Sequence, residues 1–122
     1  MSYKIISPKE AYEKMQEGFA YLDVRTPEEF AKGHAKGAVN IPLFTGSMEG
    51  ERQFNMNFVE EVKKQFPADV KLIVGCHSGG RSSMACELLS KHNGSQTLCN
   101  IDGGFGGNLH QKGWKAEGLP TE

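Results

Sequence analysis

The stretch Leu72-Ile73-Val74-Gly75-Cys76-His77-Ser78-Gly79-Gly80-Arg81-Ser82 constrains this chain more than any other. Its apolar run predicts a buried strand, the glycine pair predicts a tight loop, and the positions from Arg81 onward predict an amphipathic helix. Gly79 and Gly80 carry no Cβ, so the backbone can curl and turn successive N–H groups toward one point above the Cys76 sulfur. The helix adds its unpaired first-turn N–H groups and the positive end of its dipole. Both favour the thiolate and make Cys76 a nucleophile. A lone cysteine ending a strand is ordinarily a small buried hydrophobe. Here a cysteine, two glycines, an arginine and a helix start fall within six consecutive positions, which favours chemistry over packing.

The rest of the chain supplies alternating strands and helices. Lys4-Ile5-Ile6 predicts a first strand, and Ser7-Pro8-Lys9-Glu10 predicts a helix start with a capping box. Gly18 stops that helix. Phe19 to Val24 predicts the second strand, Thr26-Pro27-Glu28-Glu29 a second capped helix interrupted by Gly33, and Ala38 to Ile41 a third strand closed by Pro42. Leu43 to Met56 shows no periodicity and is expected to be a loop. Asn57 is expected to cap a helix that buries Val59, Val62 and Phe66, and Pro67-Ala68-Asp69 breaks it. The helix after the cysteine loop is expected to bury Ala85, Leu88 and Leu89 and to end around His92-Asn93-Gly94, with Gln96 to Ile101 forming a last strand. This alternation implies an α/β domain with a mostly parallel sheet, in which ligands bind beyond the carboxyl ends of the strands. Cys76 sits at such an end.

A length of 122 residues fits one domain spanning 1–122. With 14 Lys and Arg against 15 Asp and Glu and no basic run, there is no electrostatic footprint for nucleic acid or an anionic membrane. No stretch is apolar for long enough to span a bilayer, and Met1-Ser2-Tyr3-Lys4 opens without the pattern of a secretion signal, so a cytoplasmic protein is expected. Cys76, Cys86 and Cys99 show no CxxC spacing and are odd in number, which points away from disulfides and zinc. Neither a metal nor a cofactor is expected.

Taken together, Tyr21-Leu22-Asp23-Val24-Arg25, Pro27-Glu28-Glu29-Phe30, Gly33-His34-Ala35-Lys36-Gly37-Ala38-Val39-Asn40-Ile41-Pro42, the loop Cys76 to Ser82, Gly103-Gly104, Trp114 and Gly118-Leu119-Pro120 resemble the single-domain rhodaneses. These are sulfurtransferases that carry sulfur as a cysteine persulfide. The resemblance implies a rhodanese-like three-layer fold, with the central sheet flanked by helices and Cys76 as the residue that takes the sulfur. It implies a ping-pong course: the thiolate attacks the outer sulfur of a donor such as thiosulfate, sulfite leaves, and the sulfur passes to cyanide or a thiol. The N–H groups of residues 77 to 81 would hold the terminal sulfur as an oxyanion hole holds oxygen. The partners implied are a small-molecule sulfur donor and a thiophilic acceptor, which can be a protein. Two features depart from the family pattern: His77 and Ser78 stand where many thiosulfate-using relatives carry basic residues, and Phe105 to Gly113 intervene before Trp114. That intervening stretch reads as a surface loop, or as part of the entrance or of a partner surface.

The supporting residues have two readings each. Arg81 either closes the loop through backbone carbonyls or contacts an anionic donor. Asp23 and Arg25 either form a structural ion pair or line the site, and His77 and Ser78 lie in the binding loop beside the nucleophile. Phe44-Thr45-Gly46 is a candidate for the mouth of the site. Cys86 and Cys99 read as core thiols. Two other functions compete with sulfur transfer. One is a non-catalytic rhodanese-like carrier or interaction module. The other is a cysteine phosphatase or arsenate reductase, disfavoured because only four residues separate Cys76 from Arg81, one fewer than a phosphate cradle needs.

Overall fold

Ser7 Oγ accepts the Glu10 amide at 3.1 Å while Glu10 Oε1 accepts the Ser7 amide at 3.1 Å, and this reciprocal cap starts the first helix of the computed structural model. The structure describes residues 3–46, 52–92 and 96–122. Before the cap lies β1 (Lys4–Ile6), and after it runs α1 (Pro8–Gln16), ended by Gly18 at φ +103°. β2 (Ala20–Asp23) leads to a second capping box, Thr26 with Glu29, which opens α2 (Pro27–Lys32). β3 (Val39–Asn40) follows.

The stretch expected to be a loop from Leu43 to Met56 instead holds β4 (Phe44–Gly46) and β5 (Arg52–Phe54), paired antiparallel. Phe44 and Phe54 meet edge to face at 6.2 Å, and Arg52 lies over the Phe44 ring, so cross-strand contacts stabilise the pair. Part of the expected loop, residues 47–51, lies outside the described residues. α3 (Phe58–Gln65) does begin after Asn57, but that side chain makes no capping bond; Asn55 Oδ1 accepts the Asn57 amide instead. Its buried face is Phe58 and Val62, with Val59 only half-buried.

β6 (Leu72–Gly75) carries the chain into the cysteine loop, α4 (Gly80–His92) leaves it, and β7 (Leu98–Ile101) completes the main sheet. α4 buries Ser82, Ala85, Cys86 and Leu89, while Leu88 is half-buried. The helix stop expected at His92-Asn93-Gly94 runs into residues outside those described. The strand order is β1-β7-β6-β2-β3, with every neighbouring pair parallel. Successive residues point to opposite faces, so the sheet has two cores. Leu22, Leu72, Val74 and Leu98 pack with Phe58, Val62, Ala85 and Leu89 on one side. Tyr21, Ile73, Cys99 and Ile101 pack with Ala11 and Trp114 on the other. β6 and β7 are buried at every residue, as expected of central strands covered on both faces. The domain is therefore α/β, and the carboxyl ends of β2, β6 and β7 converge on the cysteine loop.

Candidate active site

Cys76 leaves β6 at its carboxyl end and is 2% exposed, forming part of the floor of an open cavity of about 450 Å³. Glu29, His77, Ser78, Gly80 and Arg81 complete the lining. The loop turns back on the sulfur: Gly79 N–H donates to Sγ at 3.1 Å, and Gly79 holds φ at +120°, a conformation that side chains rarely permit. α4 begins at the next residue, so its N-terminal end opens beside the sulfur. Burial pushes Cys86 and Cys99 upward in pKa, which keeps both protonated and unreactive.

A second polar contact comes from within the helix. Ser82, fully buried, places Oγ 3.4 Å from Cys76 Sγ, 3.2 Å from the Gly79 carbonyl and within hydrogen-bond distance of Asn100 Oδ1. Asn100 stands on β7 directly opposite Val74 of β6 and is itself 5% exposed.

Arg81 turns its guanidinium onto Glu29, with Nη1 to Oε1 at 2.7 Å and Nη2 to Oε2 at 3.0 Å. Burial opposes the charge on Glu29, but the bonds from Arg81 and Thr26 outweigh it and hold its pKa near 2. The same carboxylate raises the pKa of Arg81. The acid that caps α2 thus also ties α2 to the nucleophile loop.

Asp23 and Arg25 form a buried ion pair, Nη2 to Oδ2 at 2.8 Å, with side chains 2% and 4% exposed. Arg25 also donates to the Gly33 carbonyl and lies over the Phe105 ring at 4.6 Å. The pair locks the end of β2 to the end of α2 and supports Phe105 beneath a second cavity.

That second cavity, about 330 Å³, shares Glu29 and His77 with the first and adds Lys32, Phe105, Gly106 and Lys115. Its wall belongs to the stretch between Phe105 and Gly113, which is laced to the nucleophile loop. Phe105 N–H donates to the Cys76 carbonyl and Gly106 N–H to the His77 carbonyl, both at 2.8 Å, while Asn108 Nδ2 reaches the Ser78 carbonyl at 3.1 Å. Gly104, at φ +50°, lies so close beneath that a Cβ there would run into the Cys76 carbonyl. Trp114 N–H returns to the Gly104 carbonyl and its indole donates to the Pro120 carbonyl at 2.7 Å, which anchors the far end of the stretch.

The structure brings the loop from Cys76 to Arg81 to one opening and places Arg25 in the wall of the second cavity beside Phe105, while Asp23 lines neither cavity and is buried as the partner of Arg25. Phe44-Thr45-Gly46 contributes no residue to either cavity lining; Phe44 packs against the core cluster that contains Cys76. Glu29, Ser82 and Gly104 belong to motifs of the sequence that carry no site role there, and Asn100 belongs to none; all four meet the nucleophile loop only in the fold. Asn100 had a signal, as the polar residue in the otherwise apolar run of β7.

A family model described as rhodanese-like domain matches residues 7–109. Thiosulfate sulfurtransferase 16, chloroplastic, of Arabidopsis thaliana is 40% identical over 117 residues, covering 96% of this chain and 91% of that protein. Protein HIGH ARSENIC CONTENT 1, mitochondrial, of the same plant is 45% identical over 89 residues, 72% of this chain but only 51% of its own length. Among solved structures, Rv0390 from M. tuberculosis superposes with a TM-score of 0.81 at 29% identity, over 98% of both chains. Matched by that model from residue 7 to residue 109 and 40% identical to a relative over 96% of its length, the chain belongs to the rhodanese-like domain family.

Proposed function

We propose that this protein moves a sulfane sulfur from a donor such as thiosulfate to cyanide or a thiol acceptor, through a persulfide on Cys76. The observation that carries this reading is the Gly79 N–H donated to a cysteine sulfur at the bottom of an open cavity. An amide fixed on Sγ stabilises the thiolate before attack, and the neighbouring helix N-terminus opposes the charge that builds outward from it. In the first half-reaction Cys76 sulfur bonds to the outer sulfur of thiosulfate, the sulfur–sulfur bond of the donor breaks, and sulfite departs with its electron pair. In the second, the acceptor takes the outer sulfur and returns the thiolate. The reaction needs no group beyond donor, acceptor and this chain. The cavities are large beside thiosulfate, which leaves space for a thiol acceptor or the tip of an acceptor protein.

Weighing the intact protein after incubation with thiosulfate and desalting tests the proposal. One added sulfur atom is expected on the parent and none on Cys76→Ser. An unmodified parent across thiosulfate and mercaptopyruvate would favour a non-catalytic interaction module instead.

A further inference from the structure

Ser82 and Asn100 are polar, buried and absent from the sulfur-transfer scheme above. Ser82 sits in the first turn of α4, where a bond back to the Gly79 carbonyl is the ordinary local habit of serine. Its other two contacts are not local. They join the nucleophile to a residue on the neighbouring strand, at the one polar side chain that points from β7 toward the loop side of the sheet. A buried amide in a central parallel strand is unfavourable unless it is partnered, and Ser82 Oγ is its partner.

The hydroxyl has one proton and three neighbours. Two of them, the Gly79 carbonyl and Asn100 Oδ1, only accept; the third, Cys76 Sγ, accepts as a thiolate and donates as a thiol. We infer that Ser82 is a positioning residue that turns its proton onto Cys76 Sγ when the sulfur is charged and returns it to Asn100 Oδ1 when it is not. The inference rests on Cys76 being the sulfur-carrying nucleophile. When the thiolate forms, the serine proton points to sulfur. When the outer sulfur is taken up, the negative charge moves to that atom, Sγ becomes neutral, and the proton swings to the amide. The donated bond thus accompanies the charge and does not hold it back at Sγ after transfer.

The two side chains therefore act on the thiolate with opposite signs. Ser82→Ala removes a donor to the charged sulfur. Asn100→Leu keeps the shape of the amide but removes the acceptor that competes for the serine proton, which favours the thiolate. Iodoacetamide alkylation of Cys76, followed by intact mass across a pH series, reads this without any sulfur donor, so it stands apart from the test of sulfur uptake. Relative to the parent, the alkylation midpoint is expected to rise by about one pH unit in Ser82→Ala, roughly tenfold slower labelling below the midpoint, and to fall by about half a unit in Asn100→Leu. Ser82→Thr is expected to restore the parent midpoint. A folded Ser82→Ala with an unmoved midpoint, or two shifts of the same sign, would overturn the inference. Should Ser82→Ala lose its native circular dichroism, Asn100→Leu decides: a fall supports the pair, and no change or a rise overturns it.

Discussion

Arg81 and Glu29, 52 residues apart in sequence, meet as a two-point fork that holds α2 to the first turn of α4, the helix that leaves the nucleophile loop. The arginine that ends the loop is thereby engaged with a carboxylate of its own chain. Glu29 is at once the N3 residue of the α2 capping box and the counter-ion of Arg81. A side chain serving both keeps α2, and with it one wall of the cavity, in register with Cys76.

This ion pair has a pH signature. Glu29 has its pKa lowered from 4.5 to about 2, so it contributes stability above pH 4.5 that is lost as the pH falls toward 2. The site is partly exposed, so the contribution is modest. Glu29→Gln removes the charge at every pH. The gap in urea midpoint between parent and variant is expected to be widest above pH 4.5 and to close as the pH approaches 2. A gap that stays constant across this range would contradict the assignment.

Gly79 is the point where backbone conformation and chemistry coincide. At φ +120° its amide reaches Sγ, and a β-branched residue cannot hold that conformation without strain. An added Cβ would meet the Gly103 amide nitrogen and the Ile101 carbonyl oxygen at 3.8 Å, an ordinary contact distance, so the strain a Cβ brings is that of the backbone conformation. Gly79→Val is expected to fold and to lose sulfur uptake by on the order of a hundredfold, the usual cost of one misplaced oxyanion-type donor. Stopped-flow or discontinuous assay of sulfite release measures it. Near-parent rates in a folded variant would show that the amide does not matter.

Gly104 presents the opposite case. It has φ +50° and lies under the nucleophile loop, where any Cβ would meet the Cys76 backbone. Gly104→Ala should lift the loop from the stretch that supports it, breaking the Phe105 N–H bond to the Cys76 carbonyl. A loss of roughly 2 kcal/mol or more and a melting temperature lower by several degrees are expected, together with reduced sulfur uptake. Thermal unfolding followed by circular dichroism, beside the sulfite assay, checks both. Unchanged stability would mean that the stretch is not a support.

Local signals were readable in the residues and distant ones were not. The caps at Ser7 and Thr26 were legible because a capping box is completed within four residues. The cysteine loop was legible for the same reason, since strand end, glycines and helix start are consecutive. The pair β4 and β5 was not. Each strand has three residues, mostly exposed, and neither shows the alternation that marks a half-buried strand. Glu29 with Arg81, Ser82 with Asn100, and Gly104 beneath Cys76 are all long-range meetings created by the parallel sheet, and no spacing rule along the chain encodes them. The stretch Phe105 to Gly113 read first as a surface loop because glycines and polar residues dominate it; its backbone bonds to the Cys76 and His77 carbonyls make it a brace.

The Arg81–Glu29 fork also bears on which anions the site can process. A cysteine phosphatase surrounds a tetrahedral oxyanion with a ring of amides and clamps two of its oxygens with the arginine that closes the ring. Here the ring is one residue shorter, with four residues between Cys76 and Arg81, and the guanidinium is already forked onto Glu29 inside the same cavity. Freeing it would strand a carboxylate beside the incoming phosphate and add repulsion to a cradle that is too narrow. A single terminal sulfur makes neither demand, because it needs amides and no clamp. Para-nitrophenyl phosphate is therefore expected to give no turnover above background with the parent protein. Clear turnover that disappears in Cys76→Ala would mean that Arg81 leaves Glu29 for the substrate, and the loop would then have to be read as a phosphate site.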